Sequence, residues 1–291
     1  MLRLTRRDLS ALVAIAAAGA APAVAQTRTF VFTAIPDQDE TRLVERFTRV
    51  AEYLHEKLGV PVKYLPVKSY PAAVTAFTND QVQLAWFGGF TGVQARRAVP
   101  GSEAIAQGAE DVAFKSYVIA NAKTGLQPGK DFPKDMAGRS FTFGARASTS
   151  GRLMPEFYLR QNTGKSPDEL FSRVGFSGDH SRTIQLVQSG AYEVGVLDYS
   201  VWELEKKAGK VDESQVKVIW ETPTFPDYNW TVRGDVAAAF GADFKEKLAA
   251  ALLAIEDPAI LASFARSKFI PAKNGDYAPI EEVARTGGLF N

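Results

Sequence analysis

Three consecutive hydroxyl residues, Ser148, Thr149 and Ser150, followed by Gly151, carry the strongest chemical signal in the chain. They lie between an apolar, β-rich run at 140–144 and a helical pattern that opens near Arg152. The first turn of a helix has backbone N–H groups without intrahelical acceptors and carries a partial positive charge. Hydroxyl side chains add donors at the same place. A strand, a hydroxyl loop and a helix in this order make a cradle for an oxyanion such as phosphate, phosphonate or sulfate. Ser148 alone would serve equally well as a helix N-cap.

Other groups join this cradle or compete with it. His180 stands where a helix begins after a strand, placed to donate to an anion or to remain a solvated capping residue. Asp198 and Tyr199 end an otherwise apolar strand. Asp198 there either caps the next helix or accepts from a ligand O–H or amine. Tyr70 and Phe90 can wall a cleft or fill a core. Ser150, His180 and Asp198 could form a hydrolytic triad, which is recognised by geometry and not by order. The Gly-x-Ser-x-Gly elbow is absent, however, as are the lysine-bearing phosphate loop and the Gly-x-Gly-x-x-Gly fingerprint. The chain has no cysteine, and its two histidines, His55 and His180, are far apart in sequence. No metal site and no cofactor are expected.

These residues need positioning by strands and helices that alternate along the chain. Strand patterns cover 29–35, 61–67, 82–87, 115–122, 140–144, 173–176, 193–197 and 216–220. Helical spacing is clearest at 39–58, where Leu43, Phe47, Val50, Leu54 and Leu58 recur before Gly59, the expected C-cap. Further helices are expected at 70–77, 90–98, 152–160, 181–188, 200–207, 243–254 and 259–267. Such alternation implies parallel sheets covered by helices. Segments 76–88 and 186–198 echo one another as helix end, polar turn and strand, the pattern of two similar α/β lobes. In open α/β sheets ligands sit beyond the carboxyl ends of the strands. The corresponding loops, 36–39, 68–71, 88–91, 145–151, 177–181 and 198–200, hold nearly every residue singled out above.

The N-terminus reads as an export leader. Arg6 and Arg7 precede an Ala-rich apolar run, and Ala23-Val24-Ala25 fits a cleavage site, so residues 1–25 are expected to be a signal peptide of twin-arginine or Sec type. No stretch reaches the roughly 18 apolar residues of a membrane span. With 34 basic and 33 acidic residues, the chain has none of the charge excess that nucleic-acid or membrane-surface binding requires.

The chain resembles the phosphate/phosphite/phosphonate-type periplasmic substrate-binding proteins of ABC transporters. Ser148-Thr-Ser-Gly-Arg-Leu-Met-Pro155 is similar to that family's Ser-x-Ser-Gly-x-x-x-Pro segment. Tyr64-Leu-Pro-Val with Tyr70, the Gly88-Gly89-Phe90 loop, His180 before its helix and the segment 190–198 are also similar. Ala34-Ile-Pro-Asp-Gln-Asp39 and Ala85-Trp-Phe-Gly-Gly89 resemble a selenate-type branch. One departure is Gly88-Gly89-Phe90, where the family often has Gly-Pro and a tyrosine, so a phenolic donor is lost. The resemblance implies an α/β, two-lobed type II binding-protein fold with the ligand cleft between the lobes. Lobe 1 would hold residues 28–116 and 228–291, and lobe 2 residues 117–227. The crossings would lie near 115–121 and 222–229. It further implies an importer component, not an enzyme, that captures a small tetrahedral oxyanion by hinge closure and hands it to an inner-membrane permease. The implied ligand contacts are Ser148, Thr149, Ser150, His180, Asp198 and Tyr70, with Gly89, Phe90 and Tyr199 beside them. A periplasmic monomer is expected. A secreted serine hydrolase using Ser150 and His180 is the alternative.

Overall fold

Asp39 and Gly59 define the first long helix. Asp39 accepts the N–H groups of Thr41 and Arg42, and Gly59 ends helix α1 (Glu40–Leu58) in the left-handed conformation, φ 66°. The apolar stripe Leu43, Phe47, Val50 and Leu54 is buried as its spacing predicts. The computed structural model describes residues 28–290. The expected signal peptide lies outside the described residues.

The first half of the chain builds β1 (Phe30–Ala34), α1, β2 (Val62–Tyr64), α2 (Tyr70–Thr78), β3 (Leu84–Phe87), α3 (Gly89–Ala98) and β4 (Glu103–Gly108). It then crosses to β5 (Ser116–Asn121), β6 (Ser140–Phe143), α4 (Met154–Thr163), α5 (Pro167–Leu170), β7 (Arg173–Phe176), α6 (His180–Gln188), β8 (Val194–Asp198), α7 (Tyr199–Lys207) and β9 (Val216–Glu221). It returns through β10 (Asn229–Val232), α8 (Val236–Phe240), α9 (Phe244–Leu253), α10 (Pro258–Phe264), β11 (Phe269–Pro271) and α11 (Ala278–Thr286). Two sheets result, ordered β11-β4-β10-β3-β1-β2 and β7-β6-β8-β5-β9.

The internal echo has a structural counterpart. Within each sheet the order second, first, third strand is followed by an antiparallel strand from the other side of a crossing: β2-β1-β3-β10 and β7-β6-β8-β5. Helices α2 and α6 therefore occupy equivalent places, as do the loops after β3 and β8.

Three expectations are corrected. The sheets are mixed, not parallel, because β10 runs antiparallel to β3 and β4, and β5 antiparallel to β8 and β9. The first crossing is not at 115–121, since β5 is an inner strand of the second sheet throughout its length. The crossings run side by side at 109–115 and 222–228, where Phe114 and Phe225 exchange backbone hydrogen bonds of 2.9 Å each way. Finally, the helix after the hydroxyl run opens with a π turn, Thr149–Leu153, before α4 begins.

The first sheet rests on a cluster of aromatic side chains. Trp86 packs on Trp230, Phe264 and Phe269, and Phe47 on Phe32, Tyr64 and Trp230. The helices α6 and α7 cover the second sheet through Ile184, Val187 and Trp202. Both cores hold the carboxyl ends of their parallel strands toward one shared cleft.

Candidate functional site

The hydroxyl loop folds back on itself because it contains glycine at two places. Gly144 donates to the Gly151 carbonyl at 2.8 Å. A Cβ on Gly151 would lie 2.9 Å from Ser148 Oγ, 3.0 Å from His180 Cε1 and 3.1 Å from Gly144 Cα. Only glycine permits this approach. Ser148 Oγ then accepts the Gly151 N–H at 2.9 Å, and Leu153 N–H reaches the Ser148 carbonyl at 3.0 Å. In a π turn the first intrahelical acceptor serves a residue one place further on than in an α-helix. The N–H groups of Thr149 and Ser150, in the first turn, are thereby left without intrahelical acceptors. Ser148, Thr149 and Ser150 are all buried. The Ser150 carbonyl is fixed by Ser116 Oγ at 2.7 Å.

Tyr70 and His180 are counterparts in the two lobes. Each is the first residue of its helix, α2 or α6, after a side-chain cap, Ser69 or Asp179. Each is buried and ends in a polar atom with no partner, Tyr70 Oη and His180 Nε2. The Asp198 N–H points at His180 Nδ1, 3.2 Å away. Nδ1 is thus the acceptor, and a neutral imidazole carries its proton on Nε2, the orphan atom. A buried donor without an acceptor is costly. An anion placed there would satisfy it.

Two carboxylates complete the ring. Asp37, in the loop after β1, accepts the His180 N–H through its carbonyl at 3.0 Å and leaves Oδ1 unpartnered. Asp227, in the second crossing, accepts the Gly89 N–H at 2.8 Å on Oδ1 and leaves Oδ2 unpartnered. Asp37 is 2 % exposed and Asp227 1 %. Burial raises the Asp37 carboxyl above the ordinary carboxylate range, against the pull of Arg46 and His180. Burial also pushes Asp227 up to about 7, with Asp198 and Asp111 adding to the rise, against hydrogen bonds from Gly89 and Thr149. Tyr70 is raised well above 10 by burial, with Asp37 and Asp227 adding to the rise.

The lobes meet at these residues. Phe90 N–H donates to Thr149 Oγ1 at 3.0 Å, and Arg42 of α1 pairs with Glu205 of α7 at 3.3 Å. Glu205 also accepts from Ser181 Oγ at 2.8 Å. Beside this pair a crevice of about 380 Å³ opens at the mouth of the cleft, lined by Gln38, Asp39, Lys68, Asp179, Ser181 and Arg182 among others. Cβ atoms at Gly88 would crowd Thr149 Oγ1 and Asp227 Oδ1, both 3.2 Å away. The Gly88-Gly89 pair is what lets the loop after β3 reach across.

The remaining expected residues play other parts. Asp198 Oδ1 accepts from Ser200 N–H (2.6 Å), Ser200 Oγ (2.7 Å) and Val201 N–H (3.3 Å). Its Oδ2 accepts from Tyr228 Oη at 3.0 Å. Of the two roles open to Asp198, the geometry realises the cap, and each of its oxygens already serves a protein donor. Tyr199 packs between Phe114 (4.8 Å) and Tyr117 (5.9 Å), away from the orphan atoms. The Phe90 ring rests on Phe290, and only its N–H faces the cleft. Asp37 and Asp227 were missed by sequence reasoning. A carboxylate inside the aromatic-rich stretch 225–230 was the available signal for Asp227. The triad is not assembled: Asp198 meets His180 through its backbone, and His180 Nε2 touches no hydroxyl. Among the described residues no cluster of His, Asp and Glu is suited to a metal ion.

Known proteins resemble the chain in sequence and in fold. Residues 32–277 match the family profile described as ABC transporter, phosphonate, periplasmic substrate-binding protein. A probable ABC transporter phosphite binding protein, PhnD1 of Prochlorococcus marinus, is 38 % identical over 271 residues, 91 % of each chain. The phosphonates-binding periplasmic protein of Escherichia coli is 23 % identical over 69 % of this chain and 60 % of its own. The structure of the Prochlorococcus protein in complex with methylphosphonate superposes with a TM-score of 0.86, covering 90 % of this chain and 99 % of that one. A phosphonate-transporter binding component from Pseudomonas aeruginosa, 22 % identical, shares the fold at a TM-score of 0.76 over 88 % of this chain and 85 % of its own. The fold is the two-lobed α/β type II architecture, and the chain belongs to the periplasmic substrate-binding proteins of ABC phosphonate transporters.

Proposed function

We propose that this protein captures a small phosphorus oxyanion, of the phosphonate or phosphite type, by closing its lobes and delivers it to an inner-membrane permease. One observation carries the reading. Buried polar atoms of Asp37, Tyr70, His180 and Asp227, without partners in the protein, border the turn Ser148–Gly151 with its free N–H groups. Tyr70 Oη, His180 Nε2–H and the hydroxyl turn donate to the P–O⁻ oxygens. Asp227, and Asp37 opposite, exchange a proton with the ligand. Gly89 and Phe90 contribute through their backbones, and Asp198 and Tyr199 support from behind.

A phosphorus oxyanion keeps a proton over part of the neutral range, whereas selenate and sulfate do not. Two carboxyl groups aimed at a fully deprotonated dianion would leave buried charge unpaired. The site therefore suits phosphonate or phosphite and not selenate. The similarity to a methylphosphonate-bound relative supports the same class. The leader at 1–25 would direct export through the twin-arginine or Sec route, and the mature chain would act as a periplasmic monomer. Titration calorimetry of the mature protein with methylphosphonate, phosphite, phosphate, sulfate and selenate tests the reading. Stoichiometric binding of a phosphorus oxyanion without turnover is expected, and tight binding of selenate alone would overturn it.

A further inference from the structure

Helix α11 carries one apolar face, Ile280, Val283, Ala284 and Gly287, at the spacing of successive helical turns. Its other face is polar, with Glu282 and Arg285 paired at 2.7 Å in solvent. Gly288 ends the helix in the left-handed conformation, φ 70°, and the N–H groups of Gly288 and Leu289 reach back to the carbonyls of Arg285 and Ala284 at 3.2 and 2.9 Å. This turn returns Leu289 to the groove that Val283 lines. Phe290 then rests on the Phe90 ring of the same lobe, 5.9 Å away, under the Arg97 guanidinium at 4.5 Å. The segment after α11 is thus fixed to the first lobe.

The apolar face does not end within that lobe. Ile280 and Ala284 are fully buried, and a Cβ on Gly89 would stand 3.3 Å from Ile280. Helix α11 also lies against the π turn and α4 of the second lobe. Leu153 and Phe157 of the second lobe and Val283, Thr286, Gly287 and Leu289 of the first line one groove of about 430 Å³. Its apolar members all belong to a single cluster that runs through both lobes. The Arg42–Glu205 contact between the lobes is ionic. Here the lobes meet through hydrocarbon, and incompletely: Leu153 is buried, while Val283 and Leu289 are half-buried along the open groove. Leu153 closes the turn that Thr149 begins. The turn that bears the cradle hydroxyls therefore also carries the second lobe's part of this contact.

We propose that Val283 and Leu289 form with Leu153 and Phe157 an apolar closure seam, made only when the lobes close, that raises ligand affinity and slows release from a distance. This rests on the capture-by-closure reading above. A contact present in the closed form and absent from the open one shifts that equilibrium by its own free energy and adds it to ligand affinity. It adds nothing to ligand-free stability, because there the lobes are apart. A residue that merely supports the fold does the reverse.

The test compares the parent with Val283→Ala, Leu289→Ala and the double variant by titration calorimetry with methylphosphonate, stopped-flow dissociation and ligand-free melting. Each single change is expected to weaken binding about 3- to 5-fold and the pair about 10- to 20-fold, chiefly through faster dissociation. Ligand-free melting temperatures are expected to stay within about 2 °C of the parent's. Glu282→Ala, on the solvent face of the same helix, is expected to match the parent throughout. Folded seam variants with the parent's affinity and release rate would overturn the proposal, whatever their melting temperature. So would an equal loss of affinity in Glu282→Ala, or weaker binding that came entirely from slower association. Val283→Thr keeps the side chain's shape and decides the matter should an alanine variant fail to fold: the seam requires it to bind about 3-fold more weakly. A parent that binds no phosphorus oxyanion, or binds one without becoming more compact in solution scattering, would instead defeat the functional reading.

Discussion

Replacing Asp227 by Asn should abolish the pH dependence of binding while leaving binding itself intact. Oδ1 of Asp227 accepts the Gly89 N–H, and Oδ2 has no partner. An Asn oxygen can hold the Gly89 contact, which turns its amide N–H₂ toward the ligand as a permanent donor. It thus imitates the protonated acid. The parent carboxyl, pushed up to about 7 by burial, is protonated below neutrality and ionised above. At about pH 8.5 only a few per cent keeps its proton, and recovering it costs about 2 kcal/mol, or roughly 30-fold in affinity. An ionised carboxylate about 4 Å from a ligand charge would cost about 4 kcal/mol, so reprotonation is the cheaper route. The linkage also appears in stability. A raised acid stabilises the folded chain fully below its unfolded value, 3.8, and that contribution is lost as pH rises through about 7. Calorimetric titrations from about pH 6 to 8.5 should therefore show the parent losing about 30-fold beyond any change from the ligand's own ionisation. Asp227→Asn should show only the ligand's part and should begin to admit sulfate. A folded Asp227→Asn that loses phosphorus oxyanions at every pH would refute the reasoning, because the site would then need the carboxylate itself.

Asp198→Asn should behave as a capping and packing defect, lowering the melting free energy by about 1–2 kcal/mol with little change in anion preference, because both oxygens already serve protein donors. An altered phosphate-to-sulfate ratio without loss of stability would contradict this. Arg42→Gln removes an ion pair that spans the cleft on to a nearly buried Glu205. Dissociation should accelerate about 5-fold, with solution scattering showing a less compact liganded form, and unchanged release kinetics would argue against the pair holding the lobes together. Gly151→Ala places a methyl 2.9–3.1 Å from Ser148, His180 and Gly144. It should cost about 1–3 kcal/mol in stability and weaken binding as the turn is pushed open, both read by thermal shift with and without methylphosphonate.

Much of the site was visible in sequence because its parts follow local rules. Ser148–Gly151, Ser69-Tyr70 and Asp179-His180 are each a cap followed by the opening of a helix, and caps leave a signature within four residues. What was hidden depended on distant pairing. The strand β10 is only four residues long, Asn-Trp-Thr-Val, too short for its alternation to stand out, and its place beside β3 and β4 is set by pairing with strands more than a hundred residues away in sequence. The antiparallel partners β5 and β10 therefore escaped the parallel-sheet expectation. Asp37 and Asp227 gain their meaning from burial and from Tyr70, His180 and Thr149, none of them a neighbour in sequence. The roles of Asp198 were undecidable until Tyr228, 30 residues on, took its second oxygen.

The paired crossings have a consequence for release. Phe114 and Phe225 tie the two strands together, Asp227 donates its N–H to Asp111, and Arg266 clamps Asp111 from the first lobe. On the proposed reading Asp227 is both a wall of the chamber and part of the pivot about which the lobes would turn. Any torque that spreads the lobes must twist the segment 222–228 and rotate the Asp227 carboxyl away from whatever it holds. Opening and ejection would then become one mechanical event: a transporter that prised the lobes apart would have no separate need to compete for the ligand, because the axle itself would let go.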